Sequence, residues 1–245
     1  MHPVAFFIVV PPLVREKYKA FNYQPMDIIM KSKALLTLLL LSLFAVTAAA
    51  QDNPEYDLFV AANNGDDKSI ETIIYDGIDP NIADQHGNTP MYYAAKNNQT
   101  SSILKLAELG ANVNTINTSE NTPLVVAANK GNTNAVKALL SKGAFVDHVR
   151  EDGFTAVHIA SLKGHYETLS VLLSYYADPN IMSESGVSPL MLATSKGHTE
   201  IVKLLLEHSA KDVPNTNGET ALSWAKSSGE TEIAELIETT STVFK

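Results

Sequence analysis

Cysteine is absent from this 245-residue chain. Its absence excludes disulfides, thiolate zinc sites, cysteine nucleophiles and a lipid-modified cysteine, whatever the compartment. Arginine is nearly absent too, occurring only at positions 15 and 150. Residues 1–50 hold five of the 18 basic side chains (Arg15, Lys17, Lys19, Lys31, Lys33) and two of the 27 acidic ones (Glu16, Asp27). The remainder keeps 13 basic against 25 acidic side chains, a net charge of about -12. Phosphate backbones repel a body of that charge, so nucleic acid is excluded as the expected partner. Signatures of chemistry are missing as well. There is no nucleophile elbow, no phosphate-binding loop and no carboxylate pair in an acid/base setting. The stretch NGDDKS (64–69) lacks the alternating ligands and terminal glutamate of a calcium loop. Asp66 and Asp67 read as favourable charge before a helix. No enzyme activity, no cofactor and no metal site is expected.

What is present is 45% hydrophobic and 18% charged residues, the balance of a folded soluble protein with a real core. One apolar run stands apart, in MKSKALLTLLLLSLFAVTAAAQD (30–52). Lys31 and Lys33 form a basic start, residues 34–46 an apolar stretch, and Ala48–Ala50 the small residues that a signal peptidase requires. This is the layout of a secretory signal peptide at 30–50, cut between Ala50 and Gln51. Uncut, residues 34–50 reach the short edge of what spans a bilayer, and the protein would be membrane-anchored. Residues 1–29 fit neither a signal nor a domain, because Pro11 and Pro12 break their apolar run. Translation is therefore expected to begin at Met30 or Met26, with 1–29 a start-site artefact or a disordered leader. Residues 51–54 form a short linker.

From residue 55 the chain repeats with a period of 33. Compare HGNTPMYYAAKNNQTSSILKLAELGANVN (86–114) with SENTPLVVAANKGNTNAVKALLSKGAFVD (119–147). Three apolar columns run through the copies. The first is Leu58, Met91, Leu124, Val157, Leu190, Leu222; the second Ile73, Leu106, Leu139, Leu172, Leu205, Ile237; the third Ile70, Ile103, Val136, Leu169, Val202, Ala234. Thr89, Thr122, Thr155 and Ser188 predict hydroxyl N-caps, and Pro90, Pro123 and Pro189 fit the first helical position. Paired small residues such as Ala94-Ala95 let two helices approach. A second amphipathic helix stops at Gly77, Gly110 or Gly143, where glycine enters the left-handed region freely. Tyr176 and Ser209 occupy the same position in two copies and cost about 1 kcal/mol there. No helix pair this small buries its own apolar face, so the copies must stack as a solenoid.

These caps, glycines and columns resemble the ankyrin-repeat family, with its T-P-L-H-x-A-A signature, over about residues 55–240. The resemblance implies an all-α solenoid of stacked helix-turn-helix units with β-hairpin-like turns. Its repeats fall at about 55–83, 84–116, 117–149, 150–182, 183–214 and 215–245. The motif histidine survives only as His158, with Tyr92, Val125 and Met191 at its neighbours' positions. His158 is expected to bond the backbone of its own turn. His165 and His198, of GHYE and GHTE, are expected to help cap the second helix and pack on the next repeat, as structural residues and not metal ligands.

The family resemblance implies a protein partner, held on the turn tips and the inner face of the first helices. Carried over by position, these are Gln85, His86, Asn88, Lys96 and Asn97, then Thr118, Ser119, Asn121, Asn129 and Lys130. Glu151, Asp152, Phe154, Leu162 and Lys163 follow, then Glu184, Ser185, Val187, Ser195 and Lys196. Phe154 and Val187 are expected at tips with little to pack on, as anchors for the partner. Of Tyr92 and Tyr93, one is expected in the core and one, Tyr93, in the contact surface. The expected product is a monomeric, non-enzymatic interaction module, periplasmic or secreted. A membrane-tethered adaptor and an exported inhibitor or effector are the alternatives. Eukaryotic secretion would instead use the glycosylation sequons at Asn98 and Asn117.

Overall fold

Hydroxyl groups open the first helix of almost every repeat. In the computed structural model, which describes residues 53–243 and side chains through 240, Thr89 accepts from the Tyr92 N–H at 3.3 Å. Thr122 accepts from Val125 at 3.3 Å, Ser188 from Met191 at 3.2 Å and Thr220 from Ser223 at 3.1 Å. Each satisfies one of the orphan donors of a helical first turn. Twelve helices result among the described residues, in six pairs. They are α1 (Pro54–Asn64) and α2 (Asp67–Tyr75), α3 (Pro90–Lys96) and α4 (Thr100–Glu108), α5 (Pro123–Lys130) and α6 (Thr133–Ser141). The series continues with α7 (Ala156–Lys163) and α8 (Tyr166–Ser174), α9 (Pro189–Ser195) and α10 (Thr199–Glu207), α11 (Ala221–Ser228) and α12 (Thr231–Val243). No strand occurs among the described residues.

Each helix packs on its pair mate and on its counterparts in the adjacent repeats. First helices pack on one another more extensively than second helices do. The small pairs explain this, since Ala94, Ala95, Ala127, Ala128 and Ala160 are wholly buried between neighbours. The apolar columns form the core. Ile70, Ile103, Val136, Leu169 and Val202 are fully buried, as are Leu106, Leu139, Leu172, Leu205 and Ile237. Ile73 and Leu222, in the two end repeats, are only half-buried. No helix of the described residues is long and apolar enough to cross a membrane. The signal segment 30–50, its cleavage site at Ala50 and Gln51, and residues 1–29 lie outside the described residues.

Second helices end in the left-handed region, at Gly77, Gly110 and Gly143 (φ 102°, 92° and 87°) and equally at Tyr176 and Ser209 (φ 62° and 64°). An asparagine ladder secures these ends across repeats. Asn81 donates to the Gly110 carbonyl (3.4 Å), Asn114 to Gly143 (3.1 Å) and Asn180 to Ser209 (3.2 Å). The same side chains accept from the N–H groups of Asn112, Phe145 and Lys211 at 2.7–2.8 Å. The rung between is Asp147. It accepts from the Asp178 N–H at 3.0 Å but, ionised, has nothing to donate to Tyr176. Burial raises its pKa, and the nearby Asp178 charge adds to the rise although the Asp178 N–H opposes it. Asp147→Asn is therefore expected to stabilise the array by about 1 kcal/mol at pH 7, the worth of one hydrogen bond. An acid whose folded pKa is raised weakens the fold as pH rises through that pKa. The advantage of asparagine should thus shrink in acid. Urea unfolding of both proteins at pH 7 and pH 4 checks it.

The histidines of the inter-helix turns behave differently from the sequence-based expectation. His165 and His198 precede α8 and α10 but make no side-chain capping bond. Their rings lie back over the preceding repeat. A Cβ added to Gly131 would stand 2.8 Å from His165, and one added to Gly164 would stand 2.9 Å from His198. The His165 Nε2 also reaches the Asn129 carbonyl at 3.2 Å. Gln99 and Asn132 fill the same column and likewise bond backward, to the carbonyls of Asn63, and of Ala95 and Lys96. These side chains seal a seam in the N-terminal direction, which a column of residue types does not reveal.

Candidate partner-binding surface

Five short turns, at 84–88, 117–121, 150–154, 183–187 and 215–219, project between successive helix pairs as fingers. Each is closed by a backbone bond from its first N–H to its last carbonyl, at 2.8–3.2 Å. In four of them the first side chain also accepts from the turn. Asp84 accepts from His86 and Asn88, Asn117 from Ser119 and Asn121, Ser183 from Val187, and Asn215 from Asn217 and Glu219. Such side-chain bonds pre-shape a tight turn before any partner arrives. Arg150 cannot accept, and Asp152 replaces it, taking the Phe154 N–H at 3.0 Å and the Arg150 guanidinium at 3.1 Å.

The fingers are also joined to one another. The Thr118 N–H donates to the His86 carbonyl (2.9 Å), Glu184 to Asp152 (3.2 Å) and Thr216 to Ser185 (3.3 Å). Close approach is possible because the left-handed tip residue is glycine. At Gly153 (φ 80°) a Cβ would lie 2.5 Å from the Glu184 nitrogen. The second finger breaks this pattern, since its tip residue is Glu120 (φ 59°). Here the Glu151 N–H donates to the Glu120 carboxylate instead of a backbone carbonyl. Hydrogen bonding and charge from Glu120 raise the Glu151 pKa, with Glu184 adding to it. The feature is visible in the aligned tip column, which reads Gly87, Glu120, Gly153, Gly186, Gly218.

Of the residues assigned to this surface, Gln85, His86, Lys96, Lys130, Glu151, Asp152 and Glu184 are exposed. The His86 and Asp152 carbonyls and the Asp152 carboxylate still serve the scaffold. Asn88 is corrected: it is buried, donating to Asp84 at 3.0 Å and accepting from Asn117 at 2.8 Å. The Asn117 amide of the second sequon is thereby engaged inside the array. Asn121 is half-buried and accepts from Arg150 at 3.2 Å. Tyr93 is half-buried, its hydroxyl donating to Asp84 at 2.7 Å. Burial pushes the Asp84 carboxyl up, but bonds from Tyr93, Asn88 and the turn N–H groups outweigh it and hold the pKa at about 2. Tyr92 is the partner that packs on the core, edge-on to Tyr93 at 5.6 Å.

The expectation that Phe154 and Val187 have little to pack on is overturned. Phe154 is half-buried with its ring 5.2 Å from that of His158. Val187 is half-buried against the core, and its carbonyl receives His158 Nε2 at 3.2 Å. His158 Nδ1 accepts from the Thr155 N–H at 3.2 Å, the bond to its own turn that the motif implies. One fully buried neutral imidazole thus ties the third finger to the fourth. Among the described residues no three histidine or acidic side chains converge where a metal ion could sit.

A family model described as ankyrin repeats in three copies matches residues 30–117, 58–148, 102–183 and 177–242. No curated protein matches the chain. A solved ankyrin repeat domain from Acinetobacter baumannii AYE is similar, at 28% identity and a TM-score of 0.71. The similarity covers 76% of this chain and 98% of that one.

Proposed function

The chain belongs to the ankyrin-repeat family, and from that premise we propose that it is an exported module that binds one protein partner and performs no chemistry. Ankyrin repeats are generally protein–protein interaction modules. The observation that carries the proposal is the row of fingers, fixed by hydrogen bonds from repeat to repeat while the side chains of Gln85, His86, Glu151 and Glu184 remain exposed. A surface ordered in advance loses little conformational freedom on binding, so its contacts convert more fully into affinity. The exposed acids favour a partner that is basic where it meets the fingers. Export rests on the basic, apolar and small-residue order of segment 30–50. Its consequence is a mature chain beginning at Gln51, periplasmic or released.

A photo-crosslinking residue at Glu151, with a control at the exposed Lys137 of α6, tests the proposal in the native cells. Mass spectrometry of the fractions should find an N-terminal peptide starting at Gln51 outside the cytoplasm. It should also find one protein adduct from position 151 and none from 137. An intact N-terminus in the membrane fraction would make the protein a tethered adaptor instead. Equal adducts from both positions would remove the fingers as the binding surface.

A further inference from the structure

Three large aromatic side chains stand in water at a place the fingers do not use. Tyr175 and Tyr176 end α8 and are 42% and 92% exposed, while Phe145, in the loop that follows α6 one repeat earlier, is 67% exposed. The fold does not ask for them. The residues at the Tyr175 position elsewhere are Asp76, Leu109, Lys142 and His208, and at the Phe145 position Asp79, Asn112, Asp178 and Lys211. Glycine fills the Tyr176 position in the three preceding repeats. Tyr176 sits at φ 62°, where a side chain is disfavoured. It also lacks the asparagine bond that holds the equivalent carbonyls. None of the three rings stacks on another ring among the described residues. The Asp178 N–H bond to Asp147 (3.0 Å) sets the loops that carry Phe145 and Tyr176 side by side, and exposed apolar surface of this kind marks contact sites.

The charges beside the rings state what would fit. Asp147 lies two residues from Phe145, and Asp178 two from Tyr176; neither has an ion-pair partner among the described residues. The cationic side chains nearest to Asp147 in the chain face other acids, Arg150 pairing with Asp152 at 3.1 Å and Lys142 with Glu108 at 3.8 Å. Lys211 belongs to the following seam. An apolar partner would strip water from two carboxylates and give them nothing in return. A phosphate or an acidic segment would be repelled. A cationic side chain meets both features at once, through the ring faces and the carboxylates.

We propose that Phe145, Tyr175 and Tyr176, with Asp147 and Asp178, form a second docking surface, separate from the fingers, for a protein segment bearing arginine or lysine. A fluorescent hexa-arginine peptide, read by anisotropy against the full chain, is the probe. The key variant carries Phe145→Asn, Tyr175→Ser and Tyr176→Gly, which leaves the net charge unchanged and installs glycine where its neighbours have it. It should bind the peptide at least tenfold more weakly and melt no lower than the unaltered protein. A second variant, Glu151→Gln with Glu184→Gln, removes the share of the cationic peptide that the fingers hold and should weaken binding less than the aromatic variant does. Two results overturn the proposal. One is undiminished binding by the aromatic variant. The other is loss of binding in the finger variant alone, which would assign the cation to the tips. Adsorption to phosphatidylcholine vesicles that depends on the three aromatics, in place of peptide binding, would overturn it too, since it would make the patch a lipid contact.

Discussion

Leu172→Ala should destabilise the array by about 2–5 kcal/mol, the range for emptying a leucine site in a packed core. Leu172 is fully buried in α8, in the fourth of six repeats, with counterparts Leu139 and Leu205 equally buried on either side. The cavity therefore opens at two interfaces at once, toward α6 and toward α10. A domain of this size loses roughly 2–4 °C of melting temperature per kcal/mol. A fall of roughly 4–20 °C is expected, and calorimetry would read it. The position adds a second expected result. In a stacked array stability is a sum of repeat and nearest-neighbour contributions. A weak central repeat should uncouple the two ends, and the urea transition should broaden or split. A change under 1 kcal/mol would mean that the three apolar columns are not the stacking interface.

The second large effect is acid sensitivity through His158. Burial holds this imidazole's pKa down at about 4, despite the Val187 carbonyl and the Asp152 charge, which favour the protonated form. The unfolded chain titrates near 6.5. A base whose folded pKa is depressed contributes stability that is complete above the unfolded pKa. That stability is lost as pH falls from about 6.5 toward 4, because the unfolded chain takes up the proton first. The expected loss is about 3 kcal/mol from this residue. His158→Gln isolates it. Glutamine at the third helical position can accept from the Thr155 N–H, as in a capping box, and can donate to Val187. It does not titrate. Chemical unfolding at pH 7 and pH 4 should give a difference between the two proteins that changes by about 3 kcal/mol in favour of glutamine in acid. An unchanged difference would show that the folded array does not depress the His158 pKa.

Most of the architecture was legible because a repeated column samples one environment several times. Leu106, Leu139, Leu172 and Leu205 can share a column only if it is buried, and they are. Tyr176 and Ser209 stand where glycine belongs, and both adopt the left-handed backbone. The surface was less legible for a matching reason. A column says that a residue faces a neighbour but not which one. The rings of His165 and His198 were expected against the next repeat and lie on the preceding one. Phe154 and Val187 look like bare tips within their own repeats, yet both pack around His158, the single motif histidine that remains. Asn88 reads as a polar tip until Asn117, a repeat later, reaches it. Glu120 was visible as a break in the glycine column, but its bond to the Glu151 N–H depends on how far the next finger stands away.

The hydrogen bonds between repeats have a consequence for the order of events in time. Those described above join positions 29 to 37 apart in the chain. Each repeat therefore needs only the next one to complete its seam. A chain delivered from its N-terminal end, by a ribosome or through a channel, can close each seam as soon as about one more repeat has emerged. The rungs at Asn81 and Asn114 would already be waiting when the Gly110 and Gly143 carbonyls arrive. Local closure of this kind keeps folding fast and keeps few apolar edges exposed at any moment. The rung that cannot donate, Asp147, falls at the middle of the sequence of closures. That seam closes with one hydrogen bond fewer than its neighbours, and the Tyr176 carbonyl goes without the asparagine bond that its counterparts receive.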